Sequence, residues 1–168
     1  SNSAPANGGG IRITAATGTY SFTNVLVAGN ALNNCSSAGG VITGSGNVAT
    51  DATCGANFTQ VNNALVGAMG DYGGSTQTAP LLPGSPAINA GNASACLATD
   101  QRGVTRPQGN GCDAGAFESQ GFTLTKGGGD NQRAATDATF AQPITMTVAG
   151  GAWQGKPEPV DGGQVTIV

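Results

Sequence analysis

The stretch LLPGSPAINAGNASACLATDQRGVTRPQGNGCDAGAFE, residues 81–118, holds most of the chemically distinctive side chains of this chain. It includes Cys96 and Cys112, two of the four cysteines. Its second half also carries five charged residues: Asp100, Arg102, Arg106, Asp113 and Glu118. Arginine forks bind carboxylates in bidentate pairs and keep them ionised, so we expect structural ion pairs here. On this view the stretch fastens a structure and closes one end of it.

Catalysis is the alternative function for the same acids. Two carboxylates on one face could serve as acid and base in a polysaccharide-degrading enzyme. The chain has no histidine, which excludes Ser–His and Cys–His nucleophiles, and Trp153 is its only tryptophan. Aromatic platforms for stacking sugars are therefore scarce. We predict that the protein is not an enzyme and that it has no catalytic residues, metal site or cofactor.

The composition limits the fold and the partners. Only 9% of the 168 residues are charged, 29 are glycine and the net charge is −3. No segment rich in Glu, Lys, Leu and Arg occurs, so an all-β protein is predicted. The six Lys and Arg residues form no basic patch, which argues against a nucleic-acid partner. No apolar run reaches the roughly 20 residues of a membrane span, so membrane insertion is not expected.

The four cysteines predict disulfides. They allow three pairings, and the two short intervals favour Cys35–Cys54 and Cys96–Cys112. Each local loop would stabilise the fold by about 3 kcal/mol. Disulfides indicate an oxidising compartment, hence an extracellular or cell-surface location. Four reduced, buried cysteines in a cytosolic protein are the alternative.

Residues 8–55 read as short strands separated by glycine turns. Apolar residues alternate with polar ones, as at Ile11 and Ile13, and the strands recur about every ten residues. This spacing suits a sandwich or the stacked coils of a solenoid. Asparagines near the strand ends favour the solenoid, because they tolerate corner conformations. Residues 57–91, with three prolines, are expected to be irregular and anchored by Leu65, Val66, Leu81, Leu82 and Ile88.

A change in sequence texture near residues 119–121 predicts a boundary between two parts, 1–118 and 119–168. Beyond it, period-two strands are expected around GFTLTKGGG, PITMTV and GQVTIV. Their apolar positions are predicted assembly edges: Phe122, Leu124, Ile144, Val148, Val165 and Ile167. Unpaired strand edges are templates for another chain.

Two quoted motifs carry a family resemblance. GDYGGSTQTAPLLPGSPAINAG (70–91) and CLATDQRGVTRPQGNGCDAGAFE (96–118) resemble the C-terminal end of bacterial choice-of-anchor Q surface proteins, akin to polymorphic outer-membrane proteins. Asn89 stands where that family usually has Asp, and Ala114 where Ile is common. The specific match covers residues 71–118, and residues 8–70 are similar in texture only.

The resemblance implies a fold. It implies the terminal coils of a right-handed parallel β-helix over residues 1–118, with an irregular disulfide-stapled cap. The tail, 119–168, resembles the opening strands of a bacterial immunoglobulin-like repeat. A complete domain of that type needs about 100 residues and seven strands, so only a partial sandwich is expected.

Incomplete borders of this kind predict a partner. We expect either the remainder of a longer chain or other copies of the protein, added head to tail by β-strand complementation into a filament. The protein would then be a structural, extracellular or cell-surface subunit. A surface adhesin that binds a glycan is a further alternative.

Overall fold

The computed structural model describes residues 8–166. This part of the chain contains strands and two single 3-10 turns, at Ala52–Cys54 and Ala93–Ala95, so the predicted all-β class is confirmed. The strands are β1 Ile11–Ile13, β2 Thr19–Thr23, β3 Leu26–Val27, β4 Cys35–Ser37, β5 Val41–Ser45, β6 Asn47–Ala49, β7 Phe58–Gln60, β8 Phe122–Gly128, β9 Thr145–Gly150, β10 Ala152–Trp153 and β11 Lys156–Pro157. In the described range, neither 3-10 turn is long or apolar enough to cross a membrane.

The first seven strands form three small parallel sheets. β1 pairs with β4, β2 pairs with β5, and β6 lies between β3 and β7. The paired positions 11 and 35, 19 and 41, and 26 and 48 lie 24, 22 and 22 residues apart. The chain thus visits three sheet positions in turn and then returns to lie beside its own earlier strands.

Asparagines hold the corners between sheets. Asn24 follows β2 with a left-handed φ of 57°, which Asn adopts more readily than most residues. Asn47, at the start of β6, is buried; its Oδ1 accepts the Val25 N–H at 2.9 Å and its Nδ2 donates to the Phe22 carbonyl at 2.7 Å. Buried polar side chains are stable when hydrogen-bonded in this way.

The sheet formed by β3, β6 and β7 is covered on both faces at β3 and β6, whereas Thr59 and Gln60 of β7 are exposed. On one face Val27 and Ala49 join a cluster with Cys35, Cys54 and Phe58. The alternate residues Leu26 and Val48 belong to a second cluster: Leu81, Ala87, Ala114 and Phe117 are its other main members. Successive strand residues face opposite sides, so the second cluster covers the outer face of this sheet.

The irregular segment 61–118 supplies that outer cover. Its expected anchors Leu65, Leu81 and Leu82 are buried, and Val66 and Ile88 are half-buried. The segment therefore packs against the outward face of β3 and β6. The physical reason is that Leu26 and Val48 present apolar surface outward, which must be covered.

Residues 51–57 cover the far edge of β4 and β5 instead. Asp51 Oδ2 accepts the Asn34 N–H and Thr53 Oγ1 accepts the Cys35 N–H, both at 2.9 Å. Asn57 Nδ2 donates to the Ile42 carbonyl at 2.7 Å. The Cys35–Cys54 disulfide ties this cover to β4.

The C-terminal region forms a two-stranded antiparallel sheet of β8 and β9, and a short β10–β11 hairpin. Leu124 lies opposite Val148, so these residues share one face of the sheet. Leu124 and Ile144 are exposed, at 48% and 61%, and Ile144 precedes β9 rather than lying in it. The expected burial of this sheet is therefore incomplete among the described residues.

The predicted final strand is absent as far as the description extends. Residues 163–166 form no strand, because the Gln164 N–H donates to the Pro83 carbonyl at 2.7 Å and the chain packs against the loop at 82–84. Val165 is 48% exposed. Ile167, the other assembly position proposed there, lies outside the described residues.

Candidate functional site

The charged residues of the stretch 81–118 come together in one buried group, which we call the acid–arginine cluster. Its members are Asp100, Arg102, Arg106, Asp113 and Glu118, joined by Glu158 from the C-terminal region. The sequence placed the first five in one segment, and the structure brings them together around backbone that has little regular secondary structure.

Asp100 closes a tight turn. Its Oδ1 accepts the N–H groups of Arg102 at 2.7 Å and Val104 at 2.9 Å. Its Oδ2 accepts the Arg102 Nε–H at 2.9 Å and the Glu118 N–H at 3.0 Å. An aspartate side chain commonly binds the backbone two residues ahead, which is why Asp begins such turns. Both oxygens are therefore occupied.

Arg102 connects four parts of the chain. Its side chain is fully buried and is paired with Asp100, while Nη2 donates to the Glu118 carbonyl at 2.5 Å. The guanidinium carbon lies 3.4 Å from the centre of the Phe117 ring, a cation–π contact. Nη1 lies 3.8 Å from Oε1 of Glu158. The planar guanidinium suits this arrangement because its donors point in several fixed directions.

Arg106 and Glu118 form the second ion pair, with Nη1 3.2 Å from Oε2. Arg106 also donates to the carbonyls of Asp113 at 2.8 Å and Gly115 at 2.7 Å. Glu118 accepts the Gln108 N–H at 2.7 Å and the Asp113 N–H at 2.9 Å. The pair thus holds the loop closed by the Cys96–Cys112 disulfide against the irregular residues 113–118 that follow it.

Asp113 has no direct arginine partner. Its two oxygens accept the N–H groups of Asn89 at 2.8 Å and Ser119 at 2.6 Å. Removal from water raises the pKa of Asp113 to about 6; the negative charge of Glu118 acts in the same direction, and the two amide bonds and Arg106 oppose it. Asp113 is therefore held by backbone amides rather than by the direct ion pair that the sequence predicted.

Glu158 is the member of the cluster that the sequence did not reveal. It is 3% exposed, and its carboxylate accepts the Ser119 hydroxyl at 2.8 Å and the Gln120 N–H at 2.9 Å. Burial raises its pKa, against the effect of these bonds and of Arg102. Its only sequence signal is its position between Pro157 and Pro159, where no regular strand can supply partners.

The geometry of the cluster does not suit acid–base chemistry. The side chains of Asp100 and Glu118 have no exposed surface, and Asp113 is fully buried. A surface depression of about 500 Å³ is lined in part by Asp100 and Arg106, but both Asp100 oxygens already accept hydrogen bonds within the protein. A general acid or base needs an oxygen within reach of substrate.

Residues 8–166 bring no three His, Cys, Asp or Glu side chains close enough together to hold a metal ion. The cysteines are taken up in disulfides, Cys35–Cys54 and Cys96–Cys112, the pairing that the intervals favoured. No family model, curated protein or solved structure matches the chain.

The raised pKa of Asp113 predicts a pH dependence of stability. A pKa of about 6 in the folded state, above the ordinary 3.8 of an aspartate carboxyl group, means that the folded state binds the proton more tightly. This contribution is fully present below about pH 3.8 and is lost as the pH rises through about 6, a difference of about 3 kcal/mol. Glu158 acts in the same direction.

Urea unfolding at pH 4.5 and pH 8 measures this effect. The free energy of unfolding is expected to be higher at pH 4.5, and Asp113→Asn should reduce the difference. Equal stability at both pH values, or a steeper dependence in the variant, would contradict the assignment.

Proposed function

We propose that the protein is a non-enzymatic structural subunit of the extracellular space or cell surface. We further propose that the strands of residues 8–60 are terminal coils of a right-handed parallel β-helix and that the irregular, disulfide-stapled segment 61–118 is its cover. The 22–24-residue offset in three of the four parallel strand pairs and the corner asparagines support this fold, whereas β6 and β7 are offset by 11 residues. Parallel crossovers are right-handed in about 98% of cases. The two disulfides support an oxidising environment.

One observation carries the non-enzymatic part of the proposal. The carboxylates of the acid–arginine cluster accept backbone N–H groups of an irregular segment: Asp100 accepts three, and Asp113 and Glu118 accept two each. Buried amides outside helices and sheets need such acceptors. The acids therefore provide the hydrogen-bond acceptors that the carbonyls of a neighbouring strand provide in a sheet.

Assembly by strand addition is the second part of the proposal. β8 and β9 pair only with each other in the described range, and a two-stranded sheet is marginal in water. One face of the sheet carries Phe122, Leu124 and Val148, of which Leu124 is exposed. A strand from another copy would pair with a free edge, and its apolar side chains would lie beside Leu124 on this face. Repetition of that contact without closure gives a filament.

Light scattering after size exclusion and negative-stain imaging test assembly over a range of protein concentration. We expect the natural chain to form oligomers or filaments. Leu124→Lys should shift it towards monomer, because the lysine charge would lie beside the apolar side chains of the added strand. Thr123→Lys, on the opposite face of the same strand, is the matched control and should leave assembly unchanged. A folded protein that stays monomeric throughout, or equal loss of assembly in both variants, would refute strand addition.

A further inference from the structure

Residues 151–164, which we call the clamp, make contacts on both sides of the expected boundary at 119–121. We infer that the clamp locks the β8–β9 sheet to the parallel-strand region, so that the two parts move as one rigid body. This inference concerns the junction within one chain and does not depend on the proposed assembly.

The centre of the clamp is Glu158. Its carboxylate binds the Ser119 hydroxyl and the Gln120 N–H, and it faces Arg102 of the acid–arginine cluster. Its own N–H donates to the Gly151 carbonyl at 2.8 Å, and the Gly151 N–H donates to the Gly121 carbonyl at 2.9 Å. The residues at the predicted boundary are therefore hydrogen-bonded to the clamp, Ser119 and Gln120 by Glu158 and Gly121 by Gly151.

Close packing adds to these bonds at Trp153. A Cβ added to Gly73 would lie 2.8 Å from Cδ1 of Trp153, so the indole sits directly against the glycine backbone. The Gly74 N–H donates to the Gln154 side chain at 3.3 Å. Trp153 is half-buried at this contact, and close-packed contacts of this kind resist sliding.

Two further contacts connect the clamp to other segments of the chain. Lys156 Nζ lies 2.9 Å from Oδ2 of Asp71, and the Gln164 N–H donates to the Pro83 carbonyl at 2.7 Å. Because the Lys156–Asp71 pair is largely exposed, it contributes little energy. The contacts of the clamp therefore reach segments 71–74, 82–84 and 118–121.

The clamp fixes the direction in which β8 and β9 extend from the parallel strands. A flexible linker would let the sheet sample many directions. Small, polar contacts between domains usually permit such motion. A locked junction presents the sheet edge at one orientation.

Residual dipolar couplings of backbone amides test this inference on the whole chain. A single alignment tensor is expected to fit amides of residues 11–49 and of 122–150 together. Two distinct tensors in the natural protein would overturn the inference, whatever its state of assembly.

Two variants test the cause. Glu158→Ala removes the central acceptor and is expected to abolish the common tensor, with amide shifts of residues 11–49 retained. Lys156→Ala is the control and should keep one tensor. If Glu158→Ala keeps a common tensor, Glu158 is not the lock. If Glu158→Ala unfolds the chain, Trp153→Ala replaces it with the same expectation, and the natural protein's tensor still decides the inference.

Discussion

Arg102→Gln is expected to destabilise the protein by about 3–5 kcal/mol, because it leaves buried acids without their cation. Arg102 is paired with Asp100, faces Glu158 and donates to the Glu118 carbonyl. Stacking of the guanidinium on Phe117 is lost as well. Urea unfolding followed by circular dichroism at pH 7 measures the change.

Arg102→Lys separates charge from geometry. Lysine keeps the charge but not the planar set of donors, so a loss smaller than that of Arg102→Gln is expected. Arg133→Gln is the control, since Arg133 is exposed, and should change stability by less than about 0.5 kcal/mol. If Arg102→Gln behaves like Arg133→Gln, the acid–arginine cluster does not hold the fold.

Removal of the Cys35–Cys54 disulfide is expected to have the second largest effect, near the upper end of the usual 2–5 kcal/mol. Both residues are buried in the first core cluster, so the Cys35→Ala, Cys54→Ala double variant loses packing as well as the cross-link. The turn at Ala52–Cys54 that covers the edge of β4 is also released. Thermal unfolding of the oxidised proteins measures the loss.

The Cys96→Ala, Cys112→Ala double variant is the matched comparison. Its loop spans 16 residues against 19, so the loss of cross-link entropy is similar, but Cys96 is only half-buried. A smaller loss of stability is therefore expected. An equal or greater loss would show that the segment 61–118, rather than residues 51–57 at the edge of β4 and β5, limits stability.

Local features of the fold could be predicted from the sequence. Alternation at Ile11 and Ile13 marked β1, and the absence of helix-forming stretches gave the all-β class. The cysteine intervals indicated the disulfide pairing because each loop is short. These inferences depend on neighbours in sequence, where periodicity and loop length are reliable guides.

Long-range features could not be predicted in the same way. Glu158 meets Ser119 across 39 residues, and no periodicity or spacing marks that contact. Segment 61–118 packs over Leu26 and Val48, and this contact depends on which residue of the two-residue strand β3 faces outward. Val165 and its neighbours alternate as a strand would, yet residues 163–166 pack against the Pro83 loop instead.

Buried carboxylates accept the N–H groups of the irregular backbone, as the carbonyls of neighbouring strands do in a sheet. Amide hydrogen exchange, measured residue by residue by NMR, tests this role. The N–H groups of Val104, Gln108 and Ser119, which donate to Asp100, Glu118 and Asp113, are expected to exchange as slowly as those of β2 and β5. Exchange as fast as that of the exposed residues Gly109 and Asn110 would contradict the account.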